Sequence, residues 1–183
     1  MFTKAGRHLR EVHGITPDPA LCTYRFEPLP AAVEKATAYL TEVAGDPRKA
    51  VLIHHQGSSF TSRKNLPTEV VFTLAKRLIE SGHVPVLLDW KNQSPLRKLP
   101  GVVHPAAGHA LWGGKAFADV DTLCALAKVA GLSIGIDSGP GFAFAASGGK
   151  TIIVWTQHHP VNYSAPNENV LHLVPEGHAK SIK

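Results

Sequence analysis

Little in this chain speaks for a secreted, metal-bound or membrane-spanning protein. Of its 183 residues only Cys22 and Cys124 are cysteines. They lie far apart in no metal or redox spacing, so a reduced, cytoplasmic setting is expected. No apolar run approaches the roughly 20 residues that cross a bilayer. The N-terminal stretch MFTKAGRHLREVHG is basic but lacks the apolar segment of a secretory signal. The chain holds 11 histidines, yet it has no HExxH and no Cys/His cluster. The adjacent pairs His54-His55 and His158-His159 would point to opposite faces of a strand. Neither a metal nor any other cofactor is expected.

What is present describes one well-buried α/β domain. Apolar residues make up 44% and charged residues 18%, the balance of a soluble globular chain. A net charge of +5 suits an anionic partner such as a nucleotide, and equally a solvated basic exterior. Basic runs with interleaved aromatics are missing, so nucleic acid is not an expected partner.

The order of elements follows from periodicity and breakers. Residues 1 to 29 carry several prolines and read as an irregular lead-in. A helix is predicted from Pro30, a favourable first-turn residue, to a stop at Gly45. An apolar strand follows at 49–55, then a polar loop at 56–65. Pro67 opens a second helix, with Val70, Val71, Leu74, Leu78 and Ile79 at helical spacing, ended by Gly82. A strand at 84–88 is tipped by Asp89. Residues 94–114 are rich in Pro and Gly, with a short strand at Val102-Val103. A third helix capped by Asp119 or Asp121 runs to Ala130 and stops at Gly131. The strand 132–136, a short helix 140–147, a strand 151–155 and an edge strand 170–174 complete the chain.

Strand and helix in alternation predict a Rossmann-like parallel sheet with helices on both faces. Residues 1–45 would form the lead-in and a hinge-like helix, and 46–183 the domain proper. Right-handed crossovers bring the loops at 56–65, 89–95, 137–141 and 156–163 to one sheet edge. Open α/β sheets bind ligands at that edge.

The chemistry of those loops suits a diphosphate beside a polyol. Gly139 and Gly141 would let backbone approach a ligand, and Pro140 fits a first helical turn. Free N–H groups there, with the helix dipole, favour phosphate. Asp137 would repel phosphate, so it would accept from sugar hydroxyls, or else cap its own helix. Ser58 and Ser59 supply small donors, while Arg63 and Lys64 could neutralise a diphosphate or simply solvate the loop. Asp89 stands where an acid often binds ribose.

Three rival motifs fail. Gly149-Lys150-Thr151 ends like a Walker A loop, but Phe144 stands where the first glycine belongs. The run from Gly139 to Phe144 breaks the dinucleotide fingerprint at its sixth position. Ser138 sits at a strand-to-helix turn like a hydrolase nucleophile, but Ile136 and Pro140 replace the flanking glycines.

The segments VLIHHQGSSFTSRKNLPTEVVFTLAKRLIESGHVPVLLD and DTLCALAKVAGLSIGIDSGPGFAFAASGGKTIIVWTQHHPVNY together resemble the C-terminal half of the family 9, GT-B-fold glycosyltransferases. These are the relatives of the ADP-heptose:lipopolysaccharide heptosyltransferases. The likeness spans residues 46 to 176. It implies the donor-binding half of an inverting, metal-independent glycosyltransferase, with a nucleoside-diphosphate sugar, ADP-sugar favoured, as ligand. Lys64 with Arg63 and the Ser138 and Gly139 amides would contact the diphosphate, Asp137 the sugar and Asp89 the ribose. Phe142 stands where the family usually has a phosphate-binding His, for which His158 or His159 would substitute. The acceptor-binding domain that carries the family's base has no counterpart in residues 1–45, so a separate domain or subunit is expected to supply it. The family's role in lipopolysaccharide biosynthesis is compatible with a peripheral position at the inner membrane surface. A degenerate half acting as an interaction module is the alternative.

Overall fold

A computed structural model describes residues 4–16, 18, 24–57, 61–89, 94–105, 109–112, 119–164 and 167–176, leaving aside the side chains of 4–7, 61, 62, 161 and 162. Its centre is a five-stranded parallel sheet in the order β2-β1-β3-β4-β5. The strands are β1 (Ala50–His54), β2 (Val84–Leu87), β3 (Leu132–Ile136), β4 (Thr151–Val154) and β5 (Val170–Leu173). All five residues of β1 are buried, because a parallel strand inside a doubly covered sheet loses both faces to helices. The expected strand at Val102-Val103 contracts to one bridge, Val103 to Val86.

Seven helices accompany the sheet among the described residues: α1 (Lys4–His13), α2 (Pro30–Ala44), α3 (Thr61–Lys64), α4 (Thr68–Glu80), α5 (Val120–Val129), α6 (Gly139–Ala146) and α7 (Pro160–Tyr163). Helix α1 corrects the expectation of an irregular lead-in. Its apolar positions Leu9 and Val12 stay exposed, so no strong buried stripe marked it in the sequence. The ends of α2 and α5 follow their local signals. Gly45 closes α2 at φ 72°, and the Asp119 carboxylate caps α5 by accepting the Thr122 amide at 2.8 Å.

The two sheet faces carry different helices. Ala36, Tyr39 and Leu40 of α2 pack with Leu52, Val86, the buried run Ala125–Ala127 of α5 and Phe144 of α6. The segment expected as a hinge thus shares a core with the sheet. On the opposite face Val51, Ile53, Leu87 and Ile134 meet Val71 and Ala75 of α4 and Leu96. Each fully buried aliphatic side chain contributes roughly 1.5–3 kcal/mol. Cover thins towards the last strands. Ile152 pairs with Leu171 and Val154 with Leu173 in register, and Leu171 and Leu173 remain 56% and 45% exposed.

Gly131 was expected to stop a helix, but its need is steric. A Cβ there would sit 1.9 Å from the Arg48 carbonyl oxygen. No described helix is long and apolar enough to cross a membrane.

Candidate functional site

The strand order reverses between β1 and β3, which are neighbours with His54 opposite Gly135. From β1 the chain crosses by α4 to β2, then returns by α5 on the other face to β3. The loops leaving β1 and β3 therefore diverge at one point of the carboxyl edge, the place where such sheets form a crevice.

The described candidate residues lie on the loops and turns around that edge. Ser58 and Ser59 lie outside the described residues. Arg63 is exposed and Lys64 is 8% exposed, both at the end of α3. No carboxylate among the described residues engages either of them. The loop itself is tied down by the Gly57 amide donating to Asn65 Oδ1 at 2.9 Å and the Leu66 amide to the His55 carbonyl at 3.1 Å.

The two acids at the strand ends are turned inward. Asp89 is buried and its Oδ2 accepts the Ser94 amide at 2.6 Å, which shapes the turn after β2 and takes up one of the oxygens expected to meet ribose. Asp137 was expected to face a sugar; it is instead fully buried at 0% exposure. Its Oδ1 accepts the Thr156 amide at 3.0 Å and the Thr156 hydroxyl at 2.6 Å. Its Oδ2 accepts the amides of Gln157 at 3.3 Å and His158 at 2.8 Å, and lies 2.7 Å from His158 Nδ1. Burial pushes this carboxyl up, but the hydrogen bonds from Thr156 and His158 outweigh it and hold it below the usual carboxylate range. Asp137 thus pins the loop after β4 to the tip of β3.

The turn into α6 divides its work differently from the expectation. The Ser138 amide donates to the Ile136 carbonyl at 2.8 Å and is not available to a ligand. Its hydroxyl makes no cap to the helix. Gly141 serves packing and not ligand approach, since a Cβ on it would lie 2.1 Å from the Ile136 carbonyl oxygen. Gly139 alone keeps the expected character. It is exposed, open space surrounds its Cβ position, and its amide has no partner among the described residues.

Two features escaped the sequence. His54, the last residue of β1, and His55 just beyond it are both buried. His54 Nδ1 lies 3.2 Å from the Leu88 carbonyl, and His55 Nε2 lies 2.8 Å from Ser94 Oγ. Desolvation pulls His54 down to about 4 and lowers His55 as well. An apolar groove of about 470 Å³ also opens beside α6, between Phe26, Cys124, Phe142 and Tyr163, with Gly139 at its wall. Burial and the Asp121 charge push the Cys124 thiol up to about 11, so it is an inert wall residue. Four separate segments supply this groove, and no local pattern could announce it. Among the described residues no cluster of three or more His, Cys, Asp or Glu could hold a metal ion.

The fold is a Rossmann-like α/β fold around a five-stranded parallel sheet, and solved proteins share it. A family 9 glycosyl transferase from Veillonella parvula DSM 2008 superposes with a TM-score of 0.63 at 17% identity, covering 82% of this chain. The ADP-heptose LPS heptosyltransferase II of E. coli superposes with a TM-score of 0.59 at 14% identity, covering 81%. This chain spans less than half the length of either, 42% and 44% respectively. No family model matches the chain. No curated protein matches it in sequence.

Proposed function

We infer that this chain is the donor-binding half of a glycosyltransferase and takes a nucleoside-diphosphate sugar of the ADP-heptose type. The observation that carries this reading is the divergence of the loops after β1 and β3 at the sheet's reversal point, one bearing Arg63 and Lys64, the other Gly139. Both nearby acids are withdrawn into hydrogen bonds. The charged side chains left without such partners at the edge are Arg63 and Lys64, and the open Gly139 amide at the start of α6 adds a dipole of the same sign. Solved structures with this fold include two glycosyltransferases. Lys64, Arg63 and the Gly139 amide would hold the diphosphate and stabilise it as it departs, in an inverting, metal-independent transfer. The acceptor would be held by a separate domain or subunit. Calorimetry with ADP, UDP and GDP tests the reading: ADP should bind in the micromolar range, and a folded sample that binds none of the three would overturn it.

A second reading, a non-catalytic interaction module, draws on the apolar groove beside Phe142 and on exposed Leu171 and Leu173. It requires that no nucleotide binds while an apolar dye does.

A further inference from the structure

At the β5 end of the sheet one histidine joins three elements through two hydrogen bonds of opposite direction. His172 of β5 stands opposite Ile153 of β4, so its side chain shares a sheet face with Ile153 and with Trp155 two residues on. The Trp155 indole N–H donates to His172 Nδ1 at 3.0 Å, with ring centroids 5.6 Å apart at 52°. An indole nitrogen only donates, so His172 Nδ1 must be bare. The neutral ring therefore carries its proton on Nε2, which lies 3.3 Å from the hydroxyl of Ser164. Ser164 is fixed to α7 by its amide, which donates to the Pro160 carbonyl at 2.8 Å.

Both partners border the apolar groove beside α6. Tyr163 and Ser164 line it, and Trp155 packs near Phe142, another lining residue, with centroids 6.0 Å apart. A protonated His172 would aim Nδ1–H at the indole N–H, donor against donor, where Trp155 is fully buried. Trp155 has no acceptor to offer in exchange, so the two rings must part. The strand ladder survives, because the Trp155 amide donates to the Leu173 carbonyl at 2.8 Å. Among the elements around His172, β4 and α6 carry no ionisable side chain. The titratable groups on the others are Glu168 and Glu176 flanking β5, Lys150 ahead of β4, Tyr163 of α7, Asp137 after β3, and His158 and His159 after β4. Burial holds His172 below its ordinary value.

We propose that His172 is a pH-sensitive latch: neutral, it ties the α7 wall of the groove to Trp155; on taking a proton from solvent, it lets Trp155 go and loosens the groove. The Nε2–H bond to Ser164 survives protonation, so α7 stays with His172 while Phe142 stays with Trp155. The latch acts whether or not a nucleotide binds at the loops after β1 and β3.

The test uses the full 183-residue chain and the variant His172→Gln. A glutamine can accept from Trp155 and donate to Ser164, as the neutral ring does, but it does not titrate. From about pH 7.5 to about pH 5 the wild type should bind the uncharged dye Nile red about threefold more tightly. The Trp155 indole N–H resonance, assigned by its loss in Trp155→Phe, should move with the same midpoint, while helical circular dichroism holds. In His172→Gln both responses should be flat. Nitrogen-15 NMR of wild-type His172 at neutral pH should show the Nε2–H tautomer. An Nδ1–H tautomer, a flat wild-type response or an equal rise in His172→Gln overturns the proposal. So does a rise in dye binding that comes with loss of the helical signal, which is unfolding and not local release. Should His172→Gln fail to fold, the wild-type tautomer and the indole titration decide the matter.

Discussion

The carbonyl oxygen of Ile136 occupies the space that a side chain on residue 141 would need, 2.1 Å from its Cβ position. This contact brings the first turn of α6 down onto the end of β3, beneath which Gly135 in turn meets the Gly141 Cα at 3.0 Å from its own Cβ position. Gly141→Ala should therefore cost about 3 kcal/mol, because backbone and not a flexible side chain must move. Gly139→Ala, with open space around it, should leave the melting temperature within a few degrees. Thermal unfolding of the two variants checks the contrast, and equal losses would contradict it.

Asp137 is expected to matter for stability. Asp137→Ala leaves the part-buried Thr156 hydroxyl and three amides without their acceptor. The loss should be about 3 kcal/mol in chemical denaturation. A loss below about 1 kcal/mol would mean that water replaces the carboxylate.

Stability should fall between neutral pH and pH 4. His54 is held at about 4 by burial, against an ordinary 6.5, and His55 and His172 are lowered by the same cause. Unfolded chains bind these protons as pH drops through 6.5 while the native state refuses them, so protonation favours unfolding. His54 alone accounts for roughly 3 kcal/mol across that window. Asp137, lowered instead, keeps its contribution down to about pH 4 and loses it below. Melting temperature against pH should slope steeply from 6.5 to 4, and His54→Asn should flatten the slope.

Lys64 is almost buried and no carboxylate among the described residues engages it. Lys64→Gln should weaken ADP binding about tenfold, one charge-assisted contact, with circular dichroism unchanged. Undiminished affinity would place the diphosphate elsewhere.

Phe142 lines the groove that reaches Gly139 and packs near Trp155, with ring centroids 6.0 Å apart. Phe142→His would add a donor next to the open amide of α6 and should tighten ADP binding severalfold. The same change should lower stability by about 1 kcal/mol, since Phe142 is partly buried. Calorimetry and thermal melts read the two effects separately.

Most of the fold was legible because its signals are local. Pro30 and Gly45 bound α2, Asp119 caps α5, and the apolar runs at 50–54 and 132–136 are strands too short and too buried for helices. Helix α1 was hidden because its apolar positions bury nothing substantial. The site was legible only as an address. Position at a strand tip suggested that Asp89 and Asp137 face a ligand, whereas each is consumed by a partner from its own or a neighbouring loop.

By itself the sequence determined the alternation of elements, hence a parallel sheet and one edge at which its loops meet, since periodicity, caps and crossover handedness act over a few residues at a time. Only the tertiary structure decided which polar groups there stay open. Asp137 is separated from His158 by 21 residues and Gly141 touches the strand before it. Hydrogen-bond saturation and backbone contact depend on where other segments lie in space, so Asp89, Asp137 and Gly141, which mark the strand tips in the sequence, turn out to be taken up by contacts within the fold.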